Sequence, residues 1–192
     1  MNYRLAKLTA HLLCWFPLVY LVIAVIHKRL GADPQESMLH LLGFWSLVFL
    51  LTGLSLTPLN RAFSFPVLIK FRRMFGLYAG FYVLLHITMF FVFYVSFDFN
   101  ELILEVFERP YITVGMLAFV FMLPLIITST KRMQRILGRR WKQLHRLAYP
   151  ISVLAIIHFI WQSKSDLNEP LIYAIWLALV IGFRIYWSKV KN

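Results

Sequence analysis

The sequence predicts an all-α membrane protein, a six-transmembrane-helix bundle with both termini cytoplasmic, and three observations carry that reading. First, the 192 residues are 60% hydrophobic and 17% aromatic with only 15% charged, where a soluble domain carries about a quarter. Second, apolar runs of membrane length lie at roughly 10–26, 40–56, 77–96, 111–128, 147–161 and 170–187. Each approaches the ~17 to 25 residues that a spanning helix needs, the fifth only by extending into its flanks. Third, charge is sorted by connection. All eight acidic residues, Asp33, Glu36, Asp98, Glu101, Glu105, Glu108, Asp166 and Glu169, fall in the first, third and fifth connections. The runs lack the period-2 alternation of a membrane barrel, and within lipid only a helix or a closed barrel satisfies its backbone. A single six-helix domain over 1–192 is therefore expected.

The first run follows Arg4 and Lys7, as a secretory leader would. It is long for a leader's apolar region and no convincing A-x-A site follows, so an uncleaved first helix is expected. The second run leads into Arg61, Lys70, Arg72 and Arg73, and the third carries His86. Between the third and fourth, DFNELILEVFER reads as a short surface helix ahead of Pro110, with Asp98 and Glu101 spaced as a capping box. After the fourth, KRMQRILGRRWKQLHR at 131–146 places Met133, Ile136, Leu137, Trp141 and Leu144 near helical spacing opposite many cations. Such a segment lies among lipid headgroups with its cations towards anionic lipid. The fifth run carries His158, and the sixth closes the bundle. No internal repeat is evident.

Short loops rich in Lys and Arg stay cytoplasmic, so the even connections and both termini are expected inside. The net charge of +12 is thereby a topology signal and calls for no nucleic acid. The one cysteine, Cys14, excludes an intrachain disulfide and a C-x-x-C-H haem attachment.

An ionisable side chain inside a spanning helix is costly, and one that persists there usually faces the bundle interior with a partner or ligand. His86 is ten residues beyond Gly76 and His158 twelve beyond Arg146. At about 1.5 Å per residue these lie about 15 and 18 Å from the inner boundary. Their helices, the third and fifth, run parallel. A lone membrane histidine more often serves packing or a proton path than an iron. Two at matched depth point to imidazoles facing each other across a haem, near mid-membrane or slightly outward.

His145 lies at the inner end of the fifth helix, thirteen residues before His158. That is about 20 Å of rise, enough for two stacked sites, although at about 3.6 residues per turn the two side chains would stand about 140° apart. Pro150 lies between them and can kink the helix or change its winding. A second haem on His145 needs a partner from another inner end, and His11 is the best match in depth. Arg72 and Arg73 occupy the equivalent place on the third helix, where they can pair with haem propionates but not ligate. His27 and His40, at outer helix ends, are expected to be solvated or hydrogen-bonded.

Short motifs accompany these residues: GADP at 31–34, LTPL at 56–59, RRMFGL at 72–77, LLHIT at 84–88, RPYITVG at 109–115, PLIY at 170–173 and the long TSTKRMQRILGRRWKQLHRLAY at 128–149. With them the chain resembles the haem-binding membrane subunits of bacterial periplasmic protein-methionine-sulfoxide reductase systems, within the ferric-reductase-like transmembrane group. The resemblance implies b-type haem, one or two per chain, ligated by His86, His145 and His158, with FMN as a further cofactor. It implies a bacterial inner membrane location. It also implies respiratory quinol or a cytosolic flavin reductase as electron donor, and a periplasmic molybdenum-cofactor methionine-sulfoxide reductase as acceptor. Wider oxidase members of the group pair two histidines on the third helix with two on the fifth, whereas His86 stands alone on its helix.

The residues themselves agree with an electron carrier fed by a partner. There is no G-x-G-x-x-G at a strand-to-helix junction and no soluble region to bind a nicotinamide. The outer connections carry four basic and eight acidic residues, a modest negative face that aids encounter with a complementary partner. Two other readings are a transmembrane ferric reductase or oxidase-like protein, and a haem-free transporter with His86 and His158 as proton relays. The spans lack interior Asp or Glu and the internal duplication usual in transporters, which disfavours the last.

Overall fold

The computed structural model describes residues 3–163 and 166–190. Its helices are α1 (Tyr3–Ile26), α2 (Pro34–Phe63), α3 (Arg72–Phe90), α4 (Phe99–Glu108), α5 (Pro110–Ile127), α6 (Lys131–Leu137), α7 (Arg139–Leu144), α8 (Ala148–Gln162) and α9 (Asn168–Val190). Six segments among the described residues are long and apolar enough to cross a membrane: α1, α2, Pro66–Val95, α5, Arg139–Gln162 and α9. No strand occurs among the described residues.

The ends of these helices follow from local chemistry. Asp33 caps α2 by accepting from the Glu36 N–H at 3.0 Å, with Pro34 at the first helical position, where its missing N–H costs nothing. Ser64, at φ 57°, ends the same helix. Asp98 caps α4, but its carboxylate accepts from Asn100 at 2.8 Å and not from Glu101. Thr130 caps α6 through the Met133 N–H.

Four helices form a ring. α2 packs against α3 and α5 against α8, and contacts of α3 with α5 and of α2 with α8 close the circle. α1 lies outside against α2 and α3, and α9 outside against α2 and α8. Leu12, Leu13 and Phe16 of α1 and Ile172, Ile175 and Leu179 of α9 are exposed, the outward apolar surface that lipid covers. Directional bonds fasten the ring. The Ser46 hydroxyl donates to the Ala79 carbonyl at 2.9 Å, tying α2 to α3, and the Trp176 indole donates to the Ser55 hydroxyl at 2.8 Å, tying α9 to α2. Tyr82, fully buried, donates to the Cys14 carbonyl at 2.8 Å and accepts from the Leu18 N–H at 3.2 Å. Those two backbone groups are partners in an unbroken helix, so the hydroxyl sits within the α1 ladder next to Pro17.

The Tyr3 end of α1 lies against Lys70 and Phe71, and Trp187 of α9 meets Asn60, Arg61, Ser64 and Pro66. Both ends of the described chain therefore share the face that carries the basic connections, opposite the acidic ones.

One segment departs from the simplest reading of the sequence, and the next one follows it. The basic stretch 131–146 is two helices broken at Gly138, whose φ of +48° belongs to glycine; Ile136 is exposed while Trp141 turns inward to donate to the Thr128 carbonyl at 2.9 Å. The fifth span reaches membrane length by absorbing α7 and a 3₁₀ turn at His145–Leu147. The change of winding comes before Pro150, because proline offers no N–H to the carbonyl four residues earlier, that of Arg146.

Candidate functional site

α3 and α8 project His86 and His158 towards each other from opposite sides of the ring. Their ring centroids are 6.3 Å apart and the planes stand at 85°. Each imidazole is tied to the neighbouring helix. His86 Nδ1 lies 2.9 Å from the Leu39 carbonyl on α2, and His158 Nδ1 lies 2.6 Å from the Tyr111 carbonyl on α5. A carbonyl only accepts, so Nδ1 is the protonated nitrogen in both rings and Nε2 keeps its lone pair. That is the tautomer of a histidine ready to bind a metal through Nε2, with its other nitrogen oriented by a carbonyl.

Both histidines line a cavity of about 410 Å³ between the helices of the four-helix ring, within the size range of small-molecule and cofactor sites. Leu47, Phe90, Ile112, Phe119 and Ile151 give it apolar walls, and Gly43 and Gly115 face the two rings. Towards the acidic connections its lining turns polar, with Glu36, His40, Tyr94, Arg109, Tyr111 and Gln162. Arg109 holds Glu105 at 3.1 Å and donates to the Tyr111 hydroxyl at 3.4 Å. That hydroxyl bond, then the Glu105 carboxylate, raises the Arg109 pKa above its ordinary value against a smaller opposing effect of burial. His158 lies one turn from the end of α8 and His86 lies nine residues before the end of the Pro66–Val95 span, so the site sits off-centre, towards the acidic face.

The spacing tests whether a haem iron fits. With metal–imidazole bonds of about 2.0–2.1 Å and about 1.2 Å from nitrogen to ring centre, two imidazoles on opposite sides of one metal have centroids about 6.4–6.6 Å apart. The observed 6.3 Å matches that spacing within a few tenths of an ångström, and the apolar walls suit a flat apolar macrocycle.

The structure treats the other sequence candidates differently. His145 Nε2 is 3.1 Å from the Thr128 hydroxyl, and its ring stacks on Trp141 at 3.9 Å. His11 Nδ1 is 2.8 Å from the Tyr78 hydroxyl. Each thus has a partner of its own in place of the other. Arg72 is exposed and Arg73 half-buried, with the Arg73 Nε lacking a hydrogen-bond partner; neither lines the cavity. His27 is exposed at the end of α1. His40 approaches Glu36 at 3.6 Å and hydrogen-bonds Gln162 at the cavity mouth. Among the described residues no group of three or more His, Cys, Asp or Glu side chains could hold a metal ion, so a two-histidine site is the one on offer. Sequence reasoning missed Gly43, Gly115, Arg109 and Gln162. Arg109 and Gly115 lie in the RPYITVG motif, which was the available signal.

Residues 38–156 match the family described as the ferric reductase like transmembrane component. The stretch includes His86 and His145 and ends just before His158. The protein-methionine-sulfoxide reductase heme-binding subunit MsrQ of Xanthomonas euvesicatoria pv. vesicatoria (strain 85-10) is 45% identical over 162 residues, which are 84% of this chain and 74% of that protein. The subunit of the same name from Xanthomonas campestris pv. campestris (strain 8004) is 46% identical over the same shares. That from Herminiimonas arsenicoxydans is 42% identical over 179 residues, 92% of this chain and 82% of the relative. No solved structure matches. With identity of this order across most of both partners, and with the family match covering nearly all of the helical ring around the cavity, the chain belongs to the MsrQ family of ferric reductase like transmembrane proteins.

Proposed function

We propose that the protein is the haem-carrying electron conduit of a methionine-sulfoxide reductase system, and that His86 and His158 are the axial ligands of a b-type haem. The observation that carries the reading is the opposed imidazole pair at the separation of a shared iron, each ring held through Nδ1 and offering Nε2. When bound, the haem supplies a one-electron couple in a dry site. The chain's own residues supply the rest. His86 and His158 ligate, the Leu39 and Tyr111 carbonyls hold the tautomer, and the apolar walls exclude water. Arg109, His40 and Gln162, at the polar mouth, are the candidates to receive the propionates of this haem, as Arg72 and Arg73 are for those of an inner one.

The basic face is cytoplasmic in this reading, and the membrane is the bacterial inner membrane. Electrons enter from the quinone pool or a cytosolic flavin reductase and leave at the acidic face, near which the cavity lies, for a periplasmic molybdenum-cofactor reductase. His145, with His11, Arg72 and Arg73 nearby in depth, is the candidate for a second, inner haem, and the FMN implied by resemblance belongs with the donor side.

Reduced-minus-oxidised spectra and haem extraction on purified protein test the reading. His86→Ala and His158→Ala are each expected to lose the bis-histidine signal. His145→Ala is expected to keep it, with stoichiometry per chain falling only if the wild type holds two haems. Full haem in both of the first two variants would overturn the assignment.

A further inference from the structure

Leu39, Gly43 and His86 on one side, and Tyr111, Gly115 and His158 on the other, are related by a single shift along the chain. Each histidine follows its carbonyl partner by 47 residues. Each carbonyl precedes by four residues a glycine of the same helix, which puts carbonyl and glycine on one helix face. The sequence shows no evident repeat around them, yet the two halves of the ring, α2 with α3 and α5 with α8, build the same device twice.

The glycines are needed for that device. A Cβ on Gly43 would stand 2.9 Å from His86 Nδ1 and 3.0 Å from its Cε1. On Gly115 it would stand 2.8 Å from His158 Nδ1 and 2.9 Å from its Cε1. Real Cβ atoms do not approach this closely, so each imidazole edge lies on bare helix backbone. We propose that Gly43 and Gly115, with the carbonyls of Leu39 and Tyr111, are positioning residues that lock the planes of His86 and His158 nearly perpendicular and so set the electronic state of the metal bound between them. The inference rests on the haem reading above and adds to it residues that seat the two imidazoles.

A ring held at one edge by an N–H bond and on one side by helix backbone cannot spin about its Cβ–Cγ bond, so the 85° between planes is fixed by the fold. Perpendicular imidazoles donate π density equally to two orthogonal metal d orbitals, keeping them near degenerate and leaving a large orbital moment in the low-spin ferric ion. Parallel imidazoles split those orbitals and quench it. A methyl group at either glycine pushes its ring off both constraints and weakens that axial bond.

Electron paramagnetic resonance of the purified ferric protein, with optical spectra and carbon monoxide addition to the reduced form, tests this. Wild type is expected to give a highly anisotropic low-spin signal; the rhombic signal of near-parallel imidazoles would overturn the proposal, whatever any variant does. Gly43→Ala and Gly115→Ala are each expected to show part of the iron as high-spin and open to carbon monoxide. Two other helical glycines serve as controls. Gly182→Ala meets nothing within 4 Å, and Gly80→Ala meets Ile126 Cγ1 at 2.8 Å, away from the histidines. Gly182→Ala is expected to match wild type throughout, and Gly80→Ala to lose stability while keeping the wild-type resonance. Unchanged spectra in both ligand-side variants would overturn the positioning role and leave the haem reading intact, whereas a haem-free wild type overturns both.

Discussion

At the scale of single residues, His86 and His158 were legible because an imidazole in an apolar run is conspicuous, and their matched depth follows from helical rise alone. Gly43 and Gly115 were not legible, since a glycine in a spanning helix carries no sign of what lies across from it. Tyr82 is a similar case. The sequence reads it as one more aromatic among eighteen Phe and nine Tyr, and only packing puts its hydroxyl between Leu18 and Cys14 of α1. Tyr82→Phe leaves both backbone groups to each other across the gap the hydroxyl had filled. A loss of about 1–3 kcal/mol is expected, read as a lower thermal midpoint in detergent, with the haem spectrum unchanged because the hydroxyl does not touch the site.

At the scale of elements, the spans were readable from hydropathy and the cap of α4 from Asp98. The interruptions were harder. Periodicity across 131–146 suggests one amphipathic helix, yet Gly138 breaks it and sends Trp141 towards Thr128 and His145. Gly138 has no neighbour within 4 Å of an added Cβ, so a substitution there acts on backbone conformation alone. Gly138→Ala is expected to cost about 1–3 kcal/mol of strain. Its signature is a shift in tryptophan fluorescence as Trp141 leaves the Thr128 carbonyl, together with a lower melting temperature. A variant that melts and fluoresces as wild type would show that the two-helix turn tolerates an L residue.

At the scale of the whole molecule, charge sorting makes a statement about topology that fusions can check. A green fluorescent protein fused after residue 192 is expected to fluoresce, as it does in the cytoplasm, and a cysteine placed at exposed Glu101 in a Cys14→Ala background is expected to react with an impermeant maleimide in cells with a permeabilised outer membrane. The reverse pattern would overturn the expected orientation, and with it the direction of electron flow proposed above. Composition, hydropathy and loop charge by themselves determined the six spans, the sorting of loop charge into an acidic and a basic face and the presence of two histidines within the spans, because lipid imposes on every span the same requirement of an apolar, internally bonded helix. Tertiary structure alone decided that α2, α3, α5 and α8 close a ring, that His145 and His11 take Thr128 and Tyr78 as partners, and that bare backbone at Gly43 and Gly115 seats the two imidazoles. Those outcomes depend on which helix faces which, and in a chain apolar on nearly every side the hydrophobic pattern does not record it.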